Sequence, residues 1–290
     1  MTKVCEELYP KGTIPNQRSD GFYMDNYLKL NLDIMAKNIF NDMQFLGLCC
    51  SSTYDVRTGK STFMQQIGTY FTHTVNQKYN LNNTFTIKNI VFDGGSLIKA
   101  AFKLPKYSVI LLDEGDDIAA NYWSKLSQKL RRFFRKCGQL NLFILIILPN
   151  FFQLPMAYAL SRSIFLIDVK FYGEFERGYF DFYNFESKRK LYIKGKKTHD
   201  YKVTKPDFYG RFTKFYTIDE KAYRDKKYRD LNREEEEEVL DKKTEKIVRK
   251  KIFVNLSNNL PIKSIKTLST TFGIDHATGS RWRNKSEYIK

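Results

Sequence analysis

Nearly continuous apolar runs separated by helical patterns constrain this chain more than any other feature. Tyr107–Asp117 (YSVILLDEGDD), Leu142–Asn150 (LFILIILPN) and Ser163–Gly173 (SIFLIDVKFYG) each hold a stretch almost without polar alternation. Met43–Cys50 (MQFLGLCC) and Thr86–Gly94 (TIKNIVFDG) read as further strands. A strand with both faces apolar is covered on both sides, as in parallel sheets sandwiched between helices. The intervening segments supply the helices. Met24–Asn41 places Leu28, Leu32, Met35 and Ile39 at helical spacing, and further helices are predicted from Lys60 to about Thr72, over Ser96–Leu104 and over Tyr122–Gly138, the last stopped by its glycine. The expected class is α/β with a mostly parallel sheet.

The pattern changes after residue 172. Arg177–Lys197 alternates with period two on each side of Glu186–Ser187 and predicts a β-hairpin. Arg233–Lys251 predicts a long solvated helix, acidic first and basic last, which suits the helix dipole. Its acidic block reads as a solvated face or linker. In Pro261–Lys285, Ile265 and Leu268 read as helix core, Phe272-Gly273-Ile274 as a tight turn, Asp275 as a cap and Trp282 as an inward-packing residue. That spacing fits a helix-turn-helix, whose second helix enters the major groove, and it fits a small three-helix assembly module too. The expected parts are an irregular lead over 1–24, an α/β core over 25–172, a β-rich basic extension over 173–218, a charged helical linker over 219–256 and a helix-turn-helix over 257–290.

The chain of 290 residues carries 49 Lys and Arg against 32 Asp and Glu, a formal net charge of +17. Such a surplus favours a polyanionic partner, double-stranded DNA first and an anionic membrane second, unless an AT-rich gene alone accounts for the lysines. Lys188, Arg189, Lys190, Lys194, Lys196 and Lys197 cluster on the predicted hairpin, where they would contact phosphates. His276, Thr278, Arg281 and Arg283 stand on the second helix of the C-terminal pair, where base edges would be read. Cys5, Cys49, Cys50 and Cys137 lack metal-ligand spacing, and with only 3 His a zinc site is not expected. Reduced thiols, a start (MTKVCEELYPKG) without an apolar leader, and no run near the roughly 20 residues a bilayer requires together predict a cytoplasmic protein without stable membrane insertion.

Gly59-Lys60-Ser61-Thr62 follows a predicted strand and opens a predicted helix. This is the context of a phosphate-binding loop, in which successive N–H groups and a helix N-terminus face the phosphates. Arg57, Thr58, Gly59, Lys60, Ser61 and Thr62 are the candidates for binding ATP. Lys60 would reach the β- and γ-phosphates and Ser61 would ligate Mg²⁺. Tyr54 replaces the first glycine of G-x-x-x-x-G-K-[ST], and a left-handed backbone at Tyr54 or Arg57 would be costly. Asp113-Glu114 ends an apolar strand, at the sheet edge where ligands of open α/β folds bind. Asp113 is the candidate metal ligand and Glu114 the candidate base, and a pair of solvated strand-end acids is the plainer alternative. Asn150 ends the next strand, either as a sensor of the γ-phosphate or as a turn residue after Pro149. Charge on a transferring phosphoryl group also calls for an arginine, supplied by a neighbouring subunit in some enzymes. Among Arg131, Arg132, Arg135 and Arg162, the preferred candidates are Arg135 and Arg162.

The span over residues 25–170 resembles the additional-strand P-loop ATPases of the FtsK/HerA type, nearest to the zonular-occludens-toxin-like ATPases of viruses and mobile elements. Gly59-Lys60-Ser61-Thr62, VILLDEG and RRFFRKCGQLNLFILIILPNFFQLP carry the resemblance. It implies a RecA-like sheet, a homo-oligomer built as a hexameric ring with sites between subunits, and ATP-driven movement or packaging of DNA. Two other functions fit the same residues: an ATP-gated DNA-binding regulator or replication initiator, and a structural protein with a degenerate loop.

Overall fold

A computed structural model describes residues 24–52, 57–115, 125–172, 176–258 and 265–284. Expectations for most of the N-terminal lead with Cys5, and for Tyr54, Asp117, Tyr122, Gly173, Pro261 and Lys285, lie outside the described residues.

Within that frame the strands are β1 (Phe45–Cys50), β2 (Ile90–Val91), β3 (Val109–Leu112), β4 (Phe143–Ile147), β5 (Phe165–Tyr172), β6 (Glu176–Tyr183) and β7 (Phe208–Arg211). They form one sheet in the order β2-β3-β4-β1-β5-β6-β7. The β2–β3, β3–β4, β4–β1 and β1–β5 pairs are parallel. The β5–β6 and β6–β7 pairs are antiparallel, so the expected basic extension is part of the main sheet. Leu48 and Leu112 both pair with Ile146, which aligns the ends of β1, β4 and β3 along one edge.

The described helices are α1 (Asn26–Asn38), α2 (Lys60–Tyr79), α3 (Gly94–Ala101), α4 (Lys125–Lys136), α5 (Phe185–Gly195), α6 (Glu220–Asn258), α7 (Ile265–Thr271) and α8 (His276–Asn284). On one face of the sheet, Leu28 and Leu32 of α1 and Phe63, Ile67 and Phe71 of α2 pack with Phe45, Leu111, Leu145 and Ile167. On the other, Leu97, Leu130, Phe134 and Leu191 pack with Leu48, Ile110, Ile144 and Leu166. Alternate residues of each apolar strand thus serve opposite layers, and each fully buried aliphatic or Phe side chain contributes about 1.5–3 kcal/mol. No helix among the described residues is long and apolar enough to cross a membrane.

Local chemistry sets the element ends. Asp25 caps α1 by accepting from the Tyr27 and Leu28 N–H groups at 2.9 and 3.3 Å. α2 runs past Thr72 because Val75 is still buried, and Asn80 ends it at φ 52°. The strand expected over Thr86–Gly94 shrinks to Ile90–Val91. Thr86 and Asn89 bond reciprocally around a 3₁₀ turn, with the Thr86 N–H donating to Asn89 Oδ1 at 3.0 Å, and Asp93 then caps α3. α4 gives way to a 3₁₀ turn that contains Gly138, and Asn141 at φ 48° is where the chain turns into β4.

The predicted β-hairpin over Arg177–Lys197 is incorrect in its second half. β6 forms as expected, but residues 185–195 are helix α5. Asn184 accepts from the Glu186 and Ser187 N–H groups and opens the helix. Lys188, Leu191, Tyr192 and Gly195 then share one buried face at i, i+3, i+4 and i+7, a helical rather than a strand period.

The chain divides into two compact units, Met1–Asp225 and Lys226–Lys290, with the boundary inside α6. In the second unit, Phe253 packs edge-on against Phe272 and Trp282, at 5.4 and 5.6 Å between ring centroids. α7 and α8 are joined by a turn with Gly273 at φ 59°. Asp275 caps α8 as expected, accepting from the Thr278 N–H at 2.8 Å.

Candidate functional site

β1 is buried throughout and delivers the chain to the C-terminal edge of the sheet, where α2 begins at Lys60. Gly59 reaches φ 99°, a conformation open to glycine, and Arg57 adopts φ 60°. The left-handed Arg57 costs on the order of 1–2 kcal/mol and takes the place of the glycine a less strained loop would carry. Thr58, Lys60 and Thr62 are buried, and Thr58 Oγ1 has no hydrogen-bond partner among the described residues.

The strand-end acid meets this turn. Asp113 follows β3 and is 1% exposed. Its N–H donates to Val91 O at 2.9 Å, and Gly115 N–H donates to Ile147 O at 2.8 Å, which fixes the segment against β2 and β4. The Ser61 hydroxyl donates to Asp113 Oδ1 at 3.0 Å, joining residues 52 apart. Glu114 is exposed and stands at φ 75°, outside the region favoured by a non-glycine residue, as functional-site residues often do. Lysine, hydroxyl and carboxylate therefore lie at one edge of the parallel strands.

Two further side chains complete this neighbourhood. The Tyr223 hydroxyl donates to Asp113 Oδ2 from the first turn of α6, 110 residues away. Tyr223 is buried against Phe92, and burial first, then the Asp113 charge, raises its pKa well above the phenol range. The segment before it is latched to α2: Gln66 Nε2 donates to Thr213 O and Phe215 O, each at 2.8 Å. Asp168 of β5 holds the start of the loop, accepting from Ser52 N–H at 2.7 Å and from the Ser52 hydroxyl. Burial pushes Asp168 up to about 6, against the downward pull of the two Ser52 bonds and of Lys170.

The remaining candidates sit elsewhere. Asn150 caps the 3₁₀ turn after β4, its Oδ1 accepting from Phe152 N–H at 2.8 Å. Arg135 and Arg162 come together with Arg131 and Arg132 around a separate cleft between α4 and the π-helical turn Ala157–Arg162. Lys188 is not available to DNA: it is fully buried, its ammonium donates to Ser163 O and Oγ, and burial lowers its pKa to about 7. Arg189 lies over the Phe185 ring, Lys190 and Lys194 are exposed on α5, and Lys196 and Lys197 are exposed in the turn that follows it. On α8, His276 and Arg281 are exposed and Arg283 half-buried, whereas the Thr278 hydroxyl is committed to Asp275.

Sequence reasoning missed Tyr223, Ser52 and Asp168. Asp168 left a signal, a lone carboxylate inside an apolar strand. Tyr223, on a charged helix far along the chain, left none. No family model, no curated protein and no solved structure matches this chain.

Proposed function

We propose that this chain is a magnesium-dependent ATPase that works on double-stranded DNA as an oligomeric motor, moving or packaging it. The observation that carries the reading is the Ser61 hydroxyl on Asp113 Oδ1 at 3.0 Å, at the edge of the sheet beside Lys60. A hydroxyl and one carboxylate are the sparse protein ligands that Mg²⁺ accepts when substrate phosphates supply the rest. The Thr58 hydroxyl, which has no hydrogen-bond partner among the described residues, and the Gly59 turn fit a phosphate at the start of α2. When bound, Mg²⁺ would neutralise charge between the β- and γ-phosphates. Lys60 would hold those phosphates, Ser61 and Asp113 the metal, and Glu114 would orient and deprotonate the attacking water. β4, inserted between the loop strand and the carboxylate strand, agrees with the additional-strand resemblance. The α7–turn–α8 pair, with Asp275 as cap, supports a helix-turn-helix reader in the second unit.

One observation favours a second reading, an ATP-gated DNA-binding regulator. Tyr223 of α6 holds the other oxygen of Asp113, so a metal taken up at Oδ1 would be felt at that helix. Such a link between metal site and helix suits a switch.

Substitutions in the loop and at the strand end test the ATPase. Lys60→Ala is expected to lose nucleotide binding, and Glu114→Gln to keep binding while losing turnover. Equal turnover in wild type and Glu114→Gln would overturn the assignment. Displacement of a protein roadblock from duplex DNA separates motor from regulator.

A further inference from the structure

Arg131, Arg132 and Arg135 of α4 and Arg162 of the π-helical turn line one cleft of about 610 Å³, floored by Phe134 and Tyr158. No Asp or Glu is among its described lining residues. The Nε–H groups of Arg131 and Arg135 donate to helix carbonyls, Ser127 O at 3.3 Å and Arg131 O at 3.4 Å, which holds both side chains along α4. Four guanidinium groups gathered at one cleft make a strongly positive site that attracts an anion.

A second observation points to the same kind of ligand. Tyr158 is 4% exposed, and its hydroxyl has no hydrogen-bond partner among the described residues. Burial raises its pKa to about 12 against the pull of Arg131, Arg135 and Arg162, so it is a proton donor at neutral pH. Leaving a buried hydroxyl unsatisfied is costly, and an accepting oxygen would recover that cost.

We propose that this cleft grips the phosphodiester backbone of duplex DNA, with the arginines pairing to phosphate oxygens and Tyr158 donating one further bond. The ligand has several phosphates rather than one. A single arginine suffices to stabilise a neighbour's transferring phosphate, whereas four guanidinium groups line this cleft. Arg131 and Arg135 stand four residues apart, a rise of about 6 Å along the helix, and so present guanidinium groups at successive levels. The planar guanidinium matches the phosphate group with paired N–H donors. The contact carries no sequence information and is distinct from any base reading by α8. This inference shares DNA as partner with the proposed function but requires no ATP hydrolysis.

Fluorescence anisotropy with a random-sequence duplex, in the absence of nucleotide, tests it over a range of salt concentrations. The triple variant Arg131→Gln, Arg135→Gln, Arg162→Gln is expected to bind at least about tenfold more weakly, with the slope of log affinity against log salt flatter by about 2–3. The corresponding triple lysine variant is expected to keep most of the slope. Tyr158→Phe is expected to lose severalfold in affinity without changing the slope, because a neutral donor releases no counterion. Circular dichroism checks that each variant is folded. Failure of the ATPase reading would leave these affinities as described. Wild type that does not bind duplex, or a folded glutamine variant with wild-type affinity and slope, overturns the proposal. It is also overturned if duplex affinity is intact while ATP turnover is lost and then restored by mixing with Lys60→Ala subunits. The arginines would then serve a neighbour's nucleotide.

Discussion

At the residue scale, Asp113 is bonded on both oxygens, by Ser61 at Oδ1 and Tyr223 at Oδ2. A buried carboxylate without such donors would be expensive to keep ionised. Tyr223→Phe is therefore expected to lower stability by about 1.5–3 kcal/mol in urea unfolding, as for a bond to a charged group. Unchanged stability would show that the hydroxyl contributes no net bond. Arg57→Gly is expected to add about 0.5–1 kcal/mol, the relief of a left-handed side-chain residue less the chain entropy of glycine. A less stable variant would mean that the Arg57 side chain makes compensating contacts.

Asp168 adds a pH dependence at the same scale. Its folded pKa of about 6 lies above the ordinary 3.8, so the native state binds the proton more tightly than the unfolded chain. The stabilisation is fully present below about pH 4 and is lost as pH rises through about 6. Relative to Asp168→Asn, which keeps the shape and titrates nothing, wild type is expected to lose on the order of 3 kcal/mol between pH 4 and pH 7. A difference that does not vary with pH would refute the raised pKa.

At the element scale, α5 shows how a segment's role follows from its geometry. As a strand, residues 188–197 would have projected Lys188 with the other cations. As a helix, the segment turns Lys188 inward, beneath Phe185 and onto Ser163, and leaves Lys190, Lys194 and Lys197 exposed. Lys188→Met is therefore expected to leave duplex affinity within about twofold of wild type. Neutralising Lys190, Lys194 and Lys197 together is expected to flatten the salt slope by about 2–3 if α5 also touches DNA backbone. A large loss of affinity in Lys188→Met, with the fold intact, would contradict the burial.

At the scale of the whole molecule, the charge of +17 is shared by two units that each hold a basic surface. The first presents the arginine cleft and the α5 lysines, and the second presents Arg281 and Arg283 of α8. Removing residues 257–290 is expected to erase any preference for a particular duplex sequence and to leave much of the non-specific binding. Competition between random and selected duplexes measures this. Loss of all binding on truncation would mean that the first unit does not hold DNA.

The parallel α/β core was legible in the chain itself, because apolar continuity in strands and 3.6-residue spacing in helices are local patterns. So was the meeting of Lys60, Ser61 and Asp113, since residues at the C-terminal ends of parallel strands share one edge of the sheet. Asp275 as a cap was legible for the same reason: it acts on the residue three positions on. Tertiary structure alone decided the rest. α5 alternates well enough to pass for a strand, and only the presence of a core beneath residues 188, 191, 192 and 195 selects the helix. Tyr223 reaches Asp113, and Asp168 reaches Ser52, across separations of 110 and 116 residues. No local pattern encodes such pairings, because they arise from which elements pack side by side. The arginine cleft has the same origin: α4 supplies three of its cations and a turn beyond β4 supplies the fourth.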